Sequence, residues 1–395
     1  MPTRSGYPGM IDTVDTDPGA IDTAGADPVD VDATDLARAL GHEVGAFTVE
    51  AIDPARRLHS VTGGVYRVRA EDSSLVIKIV RRGVDADPDA LWVSGPQPSH
   101  RNYWKREWLA YQTGLLDALP GELRAPRTLL TTQVTEDECW IWMEDVEGRP
   151  GAQWPVEDYD STAFDLATTQ AAYASARSVL PDYEWLAQNW LRGWVDALGR
   201  VIGALDDDDA WAGEDLGPLA ELRNGVAGIW EHREQLLAIV ESAPRTVVHC
   251  DFWPTNLIAA DDGSTVALDW SQVGIGAVGQ DLDQLALDPV WMQVLPDVAL
   301  DDLEAHVVPA YRSGLRTSGV DIDELSLQRI YAAAAAVHYA PMLAMQAALP
   351  PDAAAVGALE QRFGVPYRTI VANRARVVSR AVELGEWVLG IGSAR

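Results

Sequence analysis

An apolar run that ends in polar residues occupies positions 247–256 and reads Val247-Val248-His249-Cys250-Asp251-Phe252-Trp253-Pro254-Thr255-Asn256. The valine-rich start favours a β-strand that ends near His249. Asp251 follows directly after this strand, and Asn256 lies five residues further on. A second β-like run begins at Val266 and ends in Asp269, eighteen residues after Asp251. Two predicted strands therefore each end in a carboxylate, with an amide between them in the sequence.

Asp251, Asn256 and Asp269 fit the requirements of phosphoryl transfer from a magnesium nucleotide. One carboxylate must orient the acceptor hydroxyl and take its proton, whereas an oxygen ligand and a second carboxylate must hold the metal. The spacing is that of a kinase catalytic loop, in which His-x-Asp is followed by Asn and then by a metal-binding Asp. These three residues are therefore the candidates for this chemistry.

The N-terminal part of the chain contains residues that suit a nucleotide. Lys78 lies within a β-branched run, and a cation inside an apolar sheet needs an anionic partner. Glu107, on a helix predicted over 103–116, can be that partner and leave the ammonium for nucleotide phosphates. Gly63 and Gly64 are expected to join the first two strands, where they would let the backbone approach the phosphates.

Three segments of different character follow one another along the chain. Residues 1–33 are acidic and rich in glycine, proline and alanine, which predicts a disordered tail. Residues 34–146 are predicted to form a β-rich N-lobe that binds nucleotide, and residues 147–395 a helical C-lobe with the catalytic loop and acceptor-binding helices. The predicted strands cover 47–52, 65–69, 75–80, 127–134, 139–143, 246–249 and 265–268, and the predicted helices cover 35–41, 103–116, 161–178, 183–205, 216–241, 281–295, 301–316, 322–349 and 366–390.

The composition limits the classes of partner. Among 395 residues, 60 acidic side chains outnumber 30 basic ones, which gives a net charge of −30. This argues against nucleic acid or a membrane surface as a partner, because both need basic patches. The alanine-rich stretch 330–349 contains His338 and Pro341 and is expected to be a kinked, buried helix. Two cysteines and no signal-peptide pattern favour a cytoplasmic protein.

From about residue 36 to 390 the chain resembles the aminoglycoside phosphotransferase and choline-kinase-like branch of the protein-kinase-like fold. The resemblance implies an α+β architecture of two lobes, with an antiparallel β-sheet and one helix in the N-lobe and a mainly helical C-lobe. The family loop usually reads His-Gly-Asp-x-x-x-x-Asn, and here Cys250 stands in place of the glycine. The metal-binding aspartate is followed by Trp270 rather than Phe-Gly.

The resemblance also implies a role for each matching residue. Asp251 would be the catalytic base, and Asn256 and Asp269 would bind Mg²⁺. Lys78 would contact the α- and β-phosphates, and Glu107 would orient it.

Two further segments receive a role from the same resemblance. The hinge that receives the adenine would lie at 143–146 and include Met143, Glu144 and Val146. The sequence Gly279-Gln280-Asp281-Leu282 would be a structural element that supports the catalytic loop.

Three other sets of residues have simpler interpretations. His249 is expected to brace the loop by hydrogen bonding rather than to act in acid–base chemistry. Asp283 and Asp288 are interpreted as solvated helix carboxylates rather than ligands of Mg²⁺ or of a cationic substrate. The many tryptophans recur at roughly helical spacing, which favours core packing.

The sequence predicts an ATP-dependent small-molecule kinase that transfers the γ-phosphate to a hydroxyl of a small acceptor, such as an aminoglycoside-like compound or an amino sugar. GTP is an alternative donor, and the acceptor is cationic if the acidic composition reflects the cleft rather than solubility. A nucleotide-binding pseudokinase is the alternative function. A protein kinase is disfavoured, because the arginine of His-Arg-Asp and an Ala-Pro-Glu motif are missing. The oligomeric state stays open, as does whether 84–98 forms a lid or an ordered loop.

Overall fold

The computed structural model describes residues 29–52, 61–83, 93–211, 216–348 and 353–391. Most of the predicted tail and of the insertion at 84–98 lies outside these ranges. At the start of the described chain, Val31 is buried in the core of the N-terminal sheet, and a helix capped by Asp32 begins at Ala33.

The elements alternate between strands and helices in the first part of the chain and are mainly helical afterwards. The strands are β1 (Thr48–Ala51), β2 (Thr62–Arg69), β3 (Ser74–Arg81), β4 (Leu123–Arg124), β5 (Thr128–Gln133), β6 (Glu138–Glu144), β7 (Gly148–Pro150), β8 (Ala187–Gln188), β9 (Arg245–Val248), β10 (Leu257–Ala260), β11 (Thr265–Ala267) and β12 (Gly274–Ala277). The helices are α1 (Ala33–Leu40), α2 (Arg106–Gln112), α3 (Asp158–Ala174), α4 (Trp190–Leu198), α5 (Gly217–Ala220), α6 (Arg223–Glu231), α7 (Arg233–Glu241), α8 (Leu282–Trp291), α9 (Leu300–Thr317), α10 (Glu324–Tyr339), α11 (Met342–Ala348), α12 (Ala353–Phe363) and α13 (Tyr367–Leu389).

A five-stranded antiparallel sheet in the order β1-β2-β3-β6-β5 forms the N-terminal part. Successive side chains of a strand point to opposite faces, so β3 serves two layers. Ile77 and Ile79 join the core that contains Leu36 of α1, whereas Val80 joins the core that contains Trp108 of α2. Lys78 shares the face of Val80, and the alternation therefore directs it toward α2 and the C-terminal part.

The C-terminal part is mainly helical and is accompanied by two small sheets. One sheet has the order β4-β11-β10-β7 and the other the order β8-β12-β9. Strands β4, β7, β8, β10 and β12 were not predicted from the sequence. β4 belongs to the first part of the chain but pairs with β11, so this pairing ties the two parts together.

The alanine-rich stretch is a broken, buried helix, as the sequence predicts. α10 ends at Tyr339 and α11 begins at Met342, with Pro341 at the break. Small alanine side chains let α10 pack closely against α13 and α7. Within the part of the chain that the structure describes, no helix is long and apolar enough to cross a membrane.

Two predictions about the N-terminal part are wrong. Gly63 and Gly64 lie inside β2, beside a register shift against β3, and not in the connection between β1 and β2. A Cβ at Gly64 would collide with the ring of Tyr66, so packing within the sheet already requires this glycine. The helix predicted over 103–116 is shorter, since α2 spans only Arg106–Gln112 and turns follow it.

Replacing Gly148 by alanine should destabilise the protein by about 3 kcal/mol. Gly148 has a φ of 152°, and a Cβ there would meet the carbonyl oxygen of Ala259 in β10. Gly203→Ala is the control, because no atom lies within 4 Å of a Cβ at that position. Chemical denaturation should show the loss for Gly148→Ala alone, and equal midpoints for the two variants would contradict this account.

Candidate active site

A hairpin brings Asn256 and Asp269 together. β10 follows Asn256 directly, and β11 returns antiparallel to it with Leu257 opposite Ala267. The backbone N–H of Leu268 donates to the carbonyl of Asn256 at 2.7 Å, which closes the end of the hairpin. The sequence separation between the two predicted metal ligands is thus the length of this hairpin.

Asn256 also fixes Asp251. Its side-chain amide donates to Oδ2 of Asp251 at 2.7 Å and to the carbonyl of Asp251 at 3.0 Å. Because the amide nitrogen is used in this way, the amide oxygen is the atom that could reach a metal. Asp251 is partly exposed, whereas Asn256 is buried.

Lys78 is buried between two carboxylates. Its Nζ lies 2.6 Å from Oε2 of Glu107 on α2 and 3.0 Å from Oδ1 of Asp269. Burial alone would lower the pKa of Lys78, but the charges of Asp269 and Glu107 outweigh it and raise the pKa above its ordinary value. Burial raises the pKa of Glu107 to about 7 against the opposing effect of Lys78. The predicted pair of Lys78 and Glu107 is formed, and Asp269 joins it.

Arg106, the neighbour of Glu107, was not singled out from the sequence. Its guanidinium is fully buried and donates to the backbone carbonyls of four residues, which are His100, Arg101, Trp185 and Ser271. Ser271 lies in the turn that follows Asp269, so Arg106 ties α2 to that turn. Since α2 also carries Glu107, the hydrogen bonds of Arg106 help to fix the distance between Glu107 and Asp269.

Asp281 supports the catalytic loop, as the resemblance implies. Its Oδ2 accepts the backbone N–H of His249 and its Oδ1 that of Cys250, both at 3.0 Å. Gln170 of α3 donates to Oδ2 at 2.9 Å and in turn accepts the hydroxyl of Tyr311 on α9. This buried network anchors the loop to two long helices. Gln170 and Tyr311 carry no motif that would reveal them in the sequence.

His249 braces the loop, as predicted. Its Nδ1 accepts the backbone N–H of Asp251 at 3.2 Å, which leaves Nε2 to donate to the carbonyl of Leu268 at 2.9 Å. Burial lowers the pKa of His249 to about 4, so the ring is neutral near pH 7. Cys250 has a φ of 64°, in the left-handed region that glycine adopts most easily. The backbone therefore explains why a glycine is usual at this place in the resembled motif.

The predicted hinge residues occupy the end of β6 and the segment after it. Met143 is buried, and the carboxylate of Glu144 pairs with Arg124 at 2.9 Å. Asp145 binds Arg67 of β2 at 2.8 Å. Because the carboxylate of Glu144 is engaged with Arg124 of another sheet, a contact of Glu144 with a nucleobase would come from its backbone.

The interpretation of Asp283 as a solvated carboxylate is wrong. Asp283 is buried on α8, and its Oδ2 lies 2.8 Å from Nδ1 of the buried His338 on α10. Asp288 is only partly exposed, and burial raises its pKa to about 8 while His338 lowers it. Gln284, one turn before Asp288 on α8, donates to the carbonyl of Cys250 at 3.0 Å, so Asp288 lies near the predicted catalytic loop. Helical spacing on α8 did not reveal that its acidic residues face inward.

The residues at the site fit a nucleotide-bound magnesium ion. Among the described residues, no group of three or more His, Cys, Asp and Glu side chains could hold a metal without further ligands. Magnesium, however, is commonly bound by one or two carboxylates together with the phosphates of a substrate. The carboxylate of Asp269 and the amide oxygen of Asn256 suit that arrangement.

The profile of a family described as phosphotransferase enzyme family matches residues 54–314. The chain belongs to this family. As a phosphotransferase, it transfers phosphate to an alcohol group of its acceptor. The matched range contains every residue predicted for the site, from Gly63 to Asp269. No curated protein matches the chain.

Solved structures of similar fold include further phosphotransferases. Spectinomycin phosphotransferase in complex with ADP and spectinomycin has a TM-score of 0.50 and 12% identity, covering 89% of this chain and 100% of its own. The amicoumacin kinase in complex with AMP-PNP and Ca²⁺ has a TM-score of 0.49 and 13% identity, covering 86% and 91%. Choline kinase from Cryptosporidium parvum has a TM-score of 0.49 and 11% identity, covering 87% and 93%. At such identities the likeness concerns the fold, and the predicted two-lobed kinase-like α+β fold of this phosphotransferase is confirmed.

Asp281→Asn should loosen the catalytic loop of this phosphotransferase. An amide offers one acceptor oxygen where the carboxylate serves three N–H groups, so buried donors lose a partner at a cost of about 2 kcal/mol. Hydrogen exchange should accelerate at the backbone amides of His249 and Cys250 in this variant. Asp302→Asn, at an exposed position on α9, is the control. Unchanged exchange at both amides would show that Asp281 does not hold the loop.

Proposed function

We propose that the protein is an ATP-dependent, Mg²⁺-dependent kinase of a small hydroxylated molecule. The observation that carries the proposal is the convergence of four elements on one place. β3 supplies Lys78, α2 supplies Glu107, and the loops beside the β10–β11 hairpin supply Asp251, Asn256 and Asp269. A buried lysine, a fixed carboxylate and two oxygen ligands are the groups that phosphoryl transfer requires.

Each residue has a distinct role in this proposal. Lys78, held by Glu107, binds the α- and β-phosphates of the nucleotide. Asn256 and Asp269 would hold Mg²⁺, which supplies charge neutralisation at the phosphates. Asp251 orients the acceptor hydroxyl and takes its proton, while Asn256 holds Oδ2 and thereby the plane of the carboxylate. The backbone of Glu144 and Val146 receives the nucleobase, and β2 with Gly63 and Gly64 covers the phosphates.

We also propose that the acceptor carries a cationic group, which Asp288 binds. Asp288 lies one turn of α8 beyond Gln284, whose side chain binds the catalytic loop. Of the two carboxylates of α8, Asp283 is already paired with His338. Asp288 is therefore the one that we assign to the ligand. A protonated amine beside the reacting hydroxyl would relieve the repulsion between Asp251 and Asp288.

Phosphate transfer from Mg-ATP and Mg-GTP to a panel of hydroxylated acceptors tests the main proposal. The panel includes aminoglycosides, amino sugars, choline and nucleosides. We expect acceptor-dependent release of ADP, which Asp251→Ala abolishes without loss of nucleotide binding. Acceptor-dependent turnover by Asp251→Ala at the wild-type rate would refute the role of this residue.

The two lysines of the chain provide a matched pair of variants for the nucleotide site. Lys78→Met should remove the stabilisation of the protein by Mg-ATP in a thermal shift measurement. Lys105→Met should retain it, because Lys105 binds Gln133 and packs over Trp108. Equal loss in both variants would point to a general effect of positive charge rather than to a phosphate contact.

The KM for a cationic acceptor should fall as the pH rises from about 6 to about 8, by up to tenfold per unit. The folded protein holds a proton on Asp288 below its pKa of about 8, and only the ionised form attracts the acceptor. Asp251, Asp283, His338 and Tyr339 surround this group and contribute to its pKa. Asp288→Asn should raise the KM and remove this pH dependence, whereas Asp297→Asn, at an exposed position, should do neither. A pH dependence that persists in Asp288→Asn would assign it to another group.

A further inference from the structure

Arg374 on α13 is a buried cation with few partners. Its exposed fraction is 6%, and one terminal nitrogen donates to Oε1 of Gln346 on α11 at 2.5 Å. The guanidinium stacks on Trp291 at 5.0 Å and on Phe363 at 5.7 Å. Nε has no hydrogen-bond partner, and no carboxylate of the described residues pairs with this arginine. Burial lowers the pKa of Arg374 to about 10, which reflects the cost of holding this charge away from water.

Three other arginines with buried or half-buried side chains bind acceptors of the protein. Arg106 donates to four backbone carbonyls. Arg376, two residues beyond Arg374, donates to the carbonyls of Pro296 and Val298. Arg380, one turn further along α13, pairs with Glu304. Arg374 therefore departs from the pattern that its own helix shows.

Stacking on aromatic rings does not compensate for the missing acceptors. A guanidinium has five N–H donors, and the faces of Trp291 and Phe363 interact with its charge but accept none of these bonds. A buried charge without a partner is retained mainly where a function requires it. The planar fork of an arginine suits an oxyanion with two oxygens in reach, such as a carboxylate or a phosphate.

A series of contacts connects Arg374 with the catalytic loop. Trp291, on which Arg374 stacks, lies one helical turn beyond Asp288 on α8. Asp288 itself lies one turn beyond Gln284, which donates to the carbonyl of Cys250 in the catalytic loop at 3.0 Å. Arg374 thus lies beyond Asp288 in the direction in which α8 leads away from that loop.

We infer that Arg374 binds an oxyanion of the acceptor, either a carboxylate or a phosphate. This inference rests on the proposed kinase function and extends it. Arg374 takes the anionic group, Asp288 the cationic group and Asp251 the reacting hydroxyl. The acceptor is then a hydroxylated molecule with charges of both signs, rather than a polycation.

The stability of the protein without ligands gives the first test. If Arg374 is kept for binding, Arg374→Met should unfold at the same temperature as the wild type or higher, because methionine replaces a costly charge with an apolar chain. Arg376→Met is the control and should unfold at a lower temperature, because arginine there bonds two carbonyls. A decrease for Arg374→Met as large as that of the control would assign Arg374 a structural role and overturn the inference.

Binding of simple oxyanions gives the second test. The probes are ω-hydroxy carboxylates of increasing chain length, each compared with its neutral amide, and hydroxyalkyl phosphates compared with the parent diols. Mg-AMP-PNP is kept saturating and the ionic strength constant, so that anions do not compete at Lys78. We expect the charged probes, and not the neutral ones, to raise the unfolding temperature of the wild type and of Arg376→Met. Arg374→Met should lose this effect. No difference between charged and neutral probes in the wild type would overturn the inference.

Kinetics separate this inference from the function on which it rests. Once an acceptor is found in the transfer assay, Arg374→Met should raise the KM at least tenfold for its charged form and leave the KM of the neutral analogue and the kcat unchanged. Acceptor-dependent ADP release with no effect of Arg374→Met would support the kinase function and refute the role of Arg374.

Discussion

The ion pair of Lys78 with Glu107 and Asp269 is the interaction on which the arrangement of the site depends. Each of its members comes from a different element, a central strand of the sheet, α2 and the turn after β11. A buried ammonium is tolerated only when anionic partners surround it, so these three elements cannot separate without a large cost. One buried charge therefore joins the sheet, α2 and the C-terminal loops at the site.

This ion pair is also unbalanced. Two carboxylates surround a single ammonium, and Asp251 adds a third negative charge close to Asn256. Burial, with a smaller contribution from the charge of Asp269, raises the pKa of Glu107 to about 7. The excess negative charge of the site suits a divalent cation that arrives with a nucleotide. The networks around Arg106 and Asp281 contribute rigidity instead, because they bind backbone carbonyls and amides. Charge and rigidity at the site thus come from separate residues.

The candidate site could be predicted from the sequence where its geometry is local. His249, Asp251 and Asn256 lie on one loop, and a short hairpin returns the chain to Asp269, so spacing alone indicates their proximity. Lys78 and Glu107 could be predicted because a lysine in an apolar strand needs a partner. The division into a β-rich and a helical part could be predicted from periodicity.

Residues whose role arises from tertiary packing could not be predicted. Gly63 and Gly64 of β2 were predicted to lie in a loop, because a register shift within a strand has no sequence signature. Asp283 looked solvated, because nothing in the sequence shows that His338, 55 residues away, packs against α8. Short strands such as β4 form only because a partner strand is already in place. In each case the information lies in contacts between segments that are distant in the chain.

The net charge of the chain is a poor guide to its acceptor, for the same reason. A charge of −30 suggests a polycationic ligand if it is assumed to describe the cleft. Around α8, however, the described residues include Asp288, which is partly exposed, and Arg374, which stacks on Trp291, is buried and lacks an acidic partner among them. A surface carboxylate is solvated and screened over a distance of about 8 Å, whereas a buried charge acts on a ligand at close range and in a low dielectric. Recognition of the acceptor should therefore follow the few charges inside the protein, and these have both signs.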